Sequence, residues 1–265
     1  ISEFASSVPL IAPTIDIIRL VQEKTGKDVE FVKDSSLKVD AQVKIARTYM
    51  DKHIITYRSN PSENINHLIA HECGHIFRFY SVDPEKRLGP CTSAEYFKQA
   101  TLDIEKKSKS LLKKLPPHAS SQLLNIWIHG IIRQLTNIPV DYYIEVWIYN
   151  DYPEMREIQL KSLTSMYNDA ARGLESNLKK MTPEIIFVAS NAMNYAFYKK
   201  LDLSIGTNFF NAYRYFSYKK IGENLFNFIN DTDEGFLSDI DIIDKWAEEL
   251  KLTKWFGWVQ IESVA

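Results

Sequence analysis

The stretch NPSENINHLIAHECGHIFRFY (residues 60–80) decides the fold of this chain and contains its most informative motif. Asn60 can cap a helix, Pro61 suits the first helical position, and Glu63 completes a reciprocal capping arrangement. The stretch therefore predicts one helix that runs to its end. Only Gly74 disfavours this helix, by about 1 kcal/mol relative to alanine, so we expect another backbone or a bound ion close to it.

Two histidines and a glutamate on this helix have the arrangement of a metal-dependent hydrolytic centre. His71 and His75 are four residues apart, so both project from one face, about one turn apart. Each can offer a nitrogen to one ion at about 2.0–2.1 Å, and two imidazoles with a carboxylate suit Zn²⁺ best. Glu72, rotated by about 100° from His71, is expected to act as general base for a water that attacks an amide carbonyl. His67, one turn earlier, is expected to support the site or face solvent rather than bind the ion.

Composition and charge limit the possible partners. The 265-residue chain is 45% hydrophobic and 25% charged, as is usual for a globular protein. A formal net charge of −2 leaves no basic excess for nucleic acid, and no stretch approaches the roughly 20 apolar residues that cross a membrane. Only Cys73 and Cys91 are cysteines, which favours a reducing, cytoplasmic setting, with Cys73 as a small buried apolar residue.

The remaining pattern predicts an α+β fold, with a small N-terminal sheet packed on the metal-binding helix and a mostly helical C-terminal half. A first helix should end at Gly26. A hairpin turn is expected at Asp51–Lys52, and a helix break at TNIP (136–139). Three β-branched and aromatic stretches predict the strands: DVEFV (28–32), AQVKIARTYM (41–50) and HIITYR (53–58). Residues 5–152 are predicted to form the metallopeptidase domain and residues 153–265 a helical lobe, which can belong to the same compact unit.

The HECGH motif on a capped helix after a strand resembles the zincin metallopeptidases. The small early sheet makes the chain most similar to the glutamate-zincins, including the ImmA/IrrE group. The resemblance is specific over about residues 40–80 and looser to about 150. It implies a peptide or protein substrate, one zinc ion, and a strand, here HIITYR (53–58), that aligns an extended peptide by main-chain pairing.

A third zinc ligand is expected downstream, and three acidic residues are candidates. Asp141 and Glu145 share one helix face in an apolar segment, where acids are costly unless they are paired or bound to metal. Glu95 lies twenty residues beyond His75, a spacing similar to that of thermolysin-like enzymes. The spacing of Asn137, Asp141 and Glu145 resembles a pattern downstream of the histidine pair in some bacterial metallopeptidase-like proteins, and this resemblance implies the aspartate as ligand. The wider class of glutamate-zincins implies glutamate, so the third ligand remains open.

The sequence leaves the oxyanion-stabilising residue and one functional alternative open. Five residues could stabilise the oxyanion: Tyr142, Tyr143, Tyr149, Tyr152 and His129. The leading hypothesis is a zinc-dependent peptidase. The alternative is a regulatory or protein-binding protein on a zincin scaffold, whose zinc is structural or sensed and whose fourth position is blocked by His67 or Cys73. A weaker alternative makes the helical C-terminal half a protein-interaction module, although its aromatic stripes favour core packing.

Overall fold

A computed structural model describes residues 10–37, 39, 41–58, 64–113 and 116–263 of the chain. It confirms the predicted α+β class, because a small N-terminal sheet is followed by a mostly helical C-terminal half. The predicted cap residues Asn60, Pro61 and Glu63 lie outside the described residues. No described helix has the length and apolar character that a membrane-crossing segment requires.

Helix α1 (Ala12–Thr25) ends at Gly26 as predicted. Gly26 has φ +66°, a left-handed conformation that glycine adopts without steric cost, and its N–H donates to the carbonyl of Gln22. Ile17, Ile18 and Val21 are fully buried on one face of α1. The helix contacts both the sheet and the motif helix.

The N-terminal sheet contains β1 (Asp28–Asp34), β2 (Ala41–Lys44) and β3 (Lys52–Arg58) in the order β1-β3-β2. Strand β3 is parallel to β1 and antiparallel to β2. The prediction that HIITYR aligns a peptide is therefore wrong, since β3 is the central strand and its main chain pairs on both sides. The edges of this sheet, in the part of the chain that the structure describes, are β1 and β2.

The second strand and its turn also differ from the prediction. Strand β2 ends at Lys44 rather than at residue 50, and Lys52 already belongs to β3, so the predicted turn at Asp51–Lys52 is wrong. The turn lies earlier, where Met50 N–H donates to the carbonyl of Arg47. The ladder stops because the Ala46 N–H donates to the His53 ring at 3.0 Å instead of to a strand.

The motif helix α2 (Ile65–Phe79) contacts α1 and β2. Ile69, Ala70 and Ile76 are fully buried on its apolar faces. After a short 3₁₀ turn (Pro84–Lys86) comes one further strand, β4 (Leu88–Cys91). It pairs with β5 (Gly257–Gln260) near the end of the chain.

Helix α3 (Ala94–Leu112) precedes a single long helix, α4 (Pro117–Asp151), in which Pro139 is an interior residue. The predicted break at TNIP is therefore wrong. Proline removes one main-chain hydrogen bond and costs about 3 kcal/mol. Apolar residues before and after it, including Leu135, Ile144 and Ile148, are buried, and tertiary packing outweighs this local preference.

The rest of the chain is helical, with aromatic residues in its core. Tyr198 and Tyr213 stack at a ring-centroid distance of 5.7 Å, and both are buried, which confirms core packing for these two residues, whereas Tyr215 is 89% exposed. The helices are α5 (Arg156–Arg172), α6 (Ser176–Met181), α7 (Glu184–Ile205), α8 (Lys219–Phe228) and α9 (Phe236–Leu250), with 3₁₀ turns at Pro153–Met155, Phe209–Tyr213 and Ile261–Ser263.

The chain divides into two compact units. The first contains the residues up to Arg87, the segment Tyr143–Ser165 and the residues from Gln260 onward. The second contains Leu88–Tyr142 and Met166–Val259. Helix α4 is continuous through the division at residues 142 and 143, and the predicted boundary between residues 152 and 153 falls inside the middle segment of the first unit.

Candidate metal centre

Helix α2 presents three histidines at intervals of four residues. Because this spacing is close to one helical turn, His67, His71 and His75 form a row along one face. Their ring centroids are 6.2 Å apart in the first pair and 5.0 Å apart in the second. His67 is fully buried, whereas His71 and His75 are half-buried, so the row runs from the core toward solvent.

The two motif histidines face each other at a distance that suits a shared ion. His71 Nε2 and His75 Nε2 are 3.3 Å apart. Two ligands at about 2.0–2.1 Å from a tetrahedral zinc ion lie about 3.3–3.4 Å apart, so the spacing agrees with this geometry. Asp141 of helix α4 completes a set with them, since each of the three residues offers a ligand atom and these atoms lie within 4.8 Å of one another.

Glu145, one turn after Asp141 on helix α4, contacts His71 through Nδ1, the nitrogen that does not face His75. Its Oε1 is 2.8 Å from His71 Nδ1, and its Oε2 is 2.9 Å from His67 Nε2. The Gln159 amide of helix α5 donates to the same Oε2 at 2.6 Å and to the Glu145 carbonyl at 2.8 Å. Only 1% of the Glu145 side chain is exposed, so protein groups supply its hydrogen bonds.

Electrostatics keep this buried carboxylate charged. Burial alone would raise the pKa of Glu145, but the charge and hydrogen bond of His67, together with those of His71, hold it well below its usual range. A carboxylate only accepts hydrogen bonds, so His71 Nδ1 donates a hydrogen bond to Glu145 Oε1. This leaves Nε2, which faces His75, as the nitrogen through which a neutral His71 could bind an ion.

The two predicted carboxylates belong to different sets of possible ligands. Glu145 belongs to a set with His67 and His71, in which the contacts have the lengths of hydrogen bonds, 2.8–2.9 Å. Asp141 belongs to the set with His71 and His75. Glu95 lies exposed in the first turn of α3 and is in neither set.

The other residues of the motif have separate environments. Glu72 is half-buried and makes no hydrogen bond or ion pair with the described residues. Cys73 is fully buried, and burial raises the pKa of its thiol, which agrees with its predicted role as a small apolar residue. Gly74 does have a close neighbour as predicted, but it is the side chain of Ile144: an added Cβ would lie 2.5 Å from Ile144 Cγ2.

The predicted oxyanion-stabilising candidates contact the following residues. The Tyr142 hydroxyl is 2.8 Å from Ser204 Oγ. The rings of the other four pack against neighbouring side chains: Tyr143 against Arg78, Tyr149 against Arg156, Tyr152 against Trp147, and His129 against Phe97.

Sequence reasoning missed Gln159 altogether and left the partner of His67 undefined. The spacing of His67 from His71 indicated a shared helix face, although no local pattern identified Glu145 as its partner. Gln159 lies in the ordinary amphipathic sequence REIQLKSL, where nothing distinguishes it from a surface glutamine. Its burial is a consequence of the fold.

Searches against protein-family models, curated proteins and solved structures found no match to this chain. The resemblance to zincins therefore depends on the motif and its context alone.

Proposed function

We propose that this protein is a zinc-dependent peptidase, in which His71, His75 and Asp141 bind one zinc ion and Glu72 is the general base. The observation that carries this proposal is the 3.3 Å separation of the two Nε2 atoms, with Asp141 in the same ligand set. Two imidazole nitrogens and one carboxylate oxygen are a common donor set for a catalytic zinc ion with one open position.

The charges around the proposed ligands also fit a divalent cation. Asp141 and Glu145 together contribute two negative charges, which balance those of Zn²⁺, and the binding of an ion by His71 and His75 requires these two rings to be neutral imidazoles. Glu145 is placed on the opposite nitrogen of His71, so we assign it the role of orienting that ring rather than that of a ligand. This assignment revises the expectation that Glu145 is itself a ligand.

The proposed reaction is the hydrolysis of a peptide bond. A zinc ion, when bound, supplies Lewis acidity that lowers the pKa of a coordinated water toward about 7. Glu72 accepts a proton from the attacking water and passes it to the leaving amine, which completes the hydrolysis. Its half-buried carboxylate has no competing hydrogen bond or ion pair among the described residues.

An extended peptide substrate requires a sheet edge, and the central strand β3 offers none. Strand β2 is an edge of the sheet and contacts the motif helix α2. We therefore assign main-chain pairing with the substrate to β2. The proposed substrate is still the extended peptide that the zincin resemblance implies, but the strand that pairs with it is β2 instead of β3.

The alternative, a structural or sensing zinc site, would be favoured by a side chain at the fourth position, such as His67 or Cys73. Neither of these residues belongs to the set of His71, His75 and Asp141. His67 Nε2 instead contacts Glu145, and Cys73 is fully buried with its thiol protonated. These contacts favour an open position and hence the peptidase.

The test compares Glu72→Gln with a matched variant of an exposed acid, Glu95→Gln. Zinc content and cleavage of a fluorescence-quenched peptide library are measured for both variants and for the wild type. Glu72→Gln should retain zinc and lose hydrolysis by about 10²–10⁴-fold, because its amide cannot accept the proton. Glu95→Gln should retain both properties.

Two results would contradict the peptidase. Undiminished hydrolysis by a zinc-loaded Glu72→Gln variant would exclude this general base. A zinc-loaded wild type that cleaves no peptide of the library would favour the structural or sensing site.

A further inference from the structure

The Glu145 carboxylate is enclosed by donors from two helices. His67 and Gln159 both bind its Oε2, at 2.9 and 2.6 Å, whereas Oε1 contacts His71 Nδ1 at 2.8 Å. The same Gln159 nitrogen also donates to the main-chain carbonyl of Glu145 at 2.8 Å. His67 and Gln159 are both fully buried. Two donors thus hold one oxygen, and the other is directed at the histidine.

We propose that His67 and Gln159 are positioning residues of the metal centre, which act through Glu145 on His71. This inference rests on the proposed zinc site. A carboxylate that can rotate offers either oxygen in several directions. Two donors on Oε2 remove this freedom, so that Oε1 keeps its 2.8 Å contact with His71. The His71 ring then keeps one tautomer and one orientation, with Nε2 toward His75.

Gln159 also connects two helices, because it lies on helix α5, whereas Glu145 lies on helix α4 and the histidine row lies on helix α2. Its amide joins helix α5 to the residue of α4 that orients His71. An apolar residue of similar volume would fill the same space but leave Oε2 with one donor fewer. A buried carboxylate that loses a hydrogen-bond donor is held less firmly in place. A shift of Oε1 would disturb its hydrogen bond to His71.

The test measures the zinc affinity of the full chain by competition with a chromophoric chelator. Gln159→Met preserves the side-chain volume and removes the donor. Loss of a partner behind a metal ligand lowers metal affinity by about 10–100-fold, and we expect about 10-fold or more here. The control is Gln134→Met, since the Gln134 amide also donates to a side-chain oxygen and a carbonyl, those of Asn194 and Ser190. The zinc affinity of Gln134→Met should stay within about 2-fold of that of the wild type.

Two further measurements separate positioning from a general loss of structure. The visible absorption of the cobalt-loaded protein reports ligand geometry, and it should change in Gln159→Met but not in Gln134→Met. In a Glu145→Gln background, Gln159→Met should have little further effect on affinity, because residues that act through one another are not additive. If Gln159→Met does not fold, His67→Phe removes the other donor to Oε2 and provides the same comparison.

The possible outcomes distinguish this inference from the proposed function. A wild type that binds no zinc, or whose affinity is unchanged by His75→Ala, overturns the zinc site itself. Zinc binding that depends on His75 but is unaffected by Gln159→Met and His67→Phe overturns only the positioning role. Losses of affinity that add fully to that of Glu145→Gln, with an unchanged cobalt spectrum, also overturn it.

Discussion

Replacement of Gly74 by alanine tests the packing that brings the motif helix α2 against helix α4. An alanine Cβ at this position would lie 2.5 Å from Ile144 Cγ2 and 3.0 Å from Ile144 Cγ1. Ordinary contacts between carbon atoms are about 3.5–4.0 Å. Ile144 is 2% exposed, so it has no free space into which it can move. The added methyl group therefore forces the two helices apart or Ile144 out of its rotamer.

Two opposing effects determine the expected change in the free energy of unfolding. Alanine in place of glycine stabilises a helix interior by about 1 kcal/mol. Overpacking of a core costs typically 1–3 kcal/mol. The net effect is therefore a destabilisation of up to about 2 kcal/mol. Because Gly74 precedes His75 and Ile144 precedes Glu145, the separation should also weaken zinc binding.

Urea denaturation followed by circular dichroism measures this change, and variants of Ile144 provide the control. Ile144→Ala removes both contacting γ carbons, so in this background Gly74→Ala should stabilise by about 1 kcal/mol. Ile144→Val keeps two γ carbons, so in this background Gly74→Ala should remain destabilising. A Gly74→Ala variant that is about 1 kcal/mol more stable than the wild type, with unchanged zinc affinity, would show that the helices are not this close.

Two further predictions concern the third ligand and a buried histidine. Asp141→Asn should weaken zinc binding by at least about 100-fold in chelator competition, because loss of a ligand should cost more than loss of a residue that only hydrogen-bonds to a ligand. Glu95→Gln should leave the zinc affinity unchanged. Equal affinities for the two variants would contradict the assignment of Asp141 as a ligand. Burial, with a smaller contribution from the Lys27 charge, lowers the pKa of His53 to about 4. The unfolded state, with a pKa of about 6.5, binds more protons between these values, so unfolding free energy should fall by about 3 kcal/mol as pH drops from 7 to 4. His53→Asn keeps an acceptor for the Ala46 N–H and cannot titrate. Its free energy of unfolding, measured by urea denaturation, should therefore fall less than that of the wild type between pH 7 and pH 4. An equal fall would show that His53 is not the cause.

Local rules accounted for much of the secondary structure and failed where side chains or distant packing replaced main-chain preferences. Helix α1 ends at Gly26 because a single residue can determine a left-handed stop. Strand β2 ends early because the His53 ring, not a strand, binds the Ala46 N–H. Helix α4 continues through Pro139 because apolar residues on both sides are buried. Strand β3 pairs on both sides because it is the central strand of the sheet. The alternation of apolar and polar residues along one strand does not specify this strand order.

The sequence by itself determined the part of the candidate site that lies on one helix. His71, Glu72 and His75 have fixed relative directions as soon as the helix forms, because helical geometry depends only on spacing. The tertiary structure alone decided which carboxylate joins which pair of histidines. The contact of Glu145 with His71 joins residues 74 positions apart in the chain, and the contact of Gln159 with Glu145 joins two further helices through residues 14 positions apart. Long-range packing of this kind leaves no periodic signal in the residues that it brings into contact.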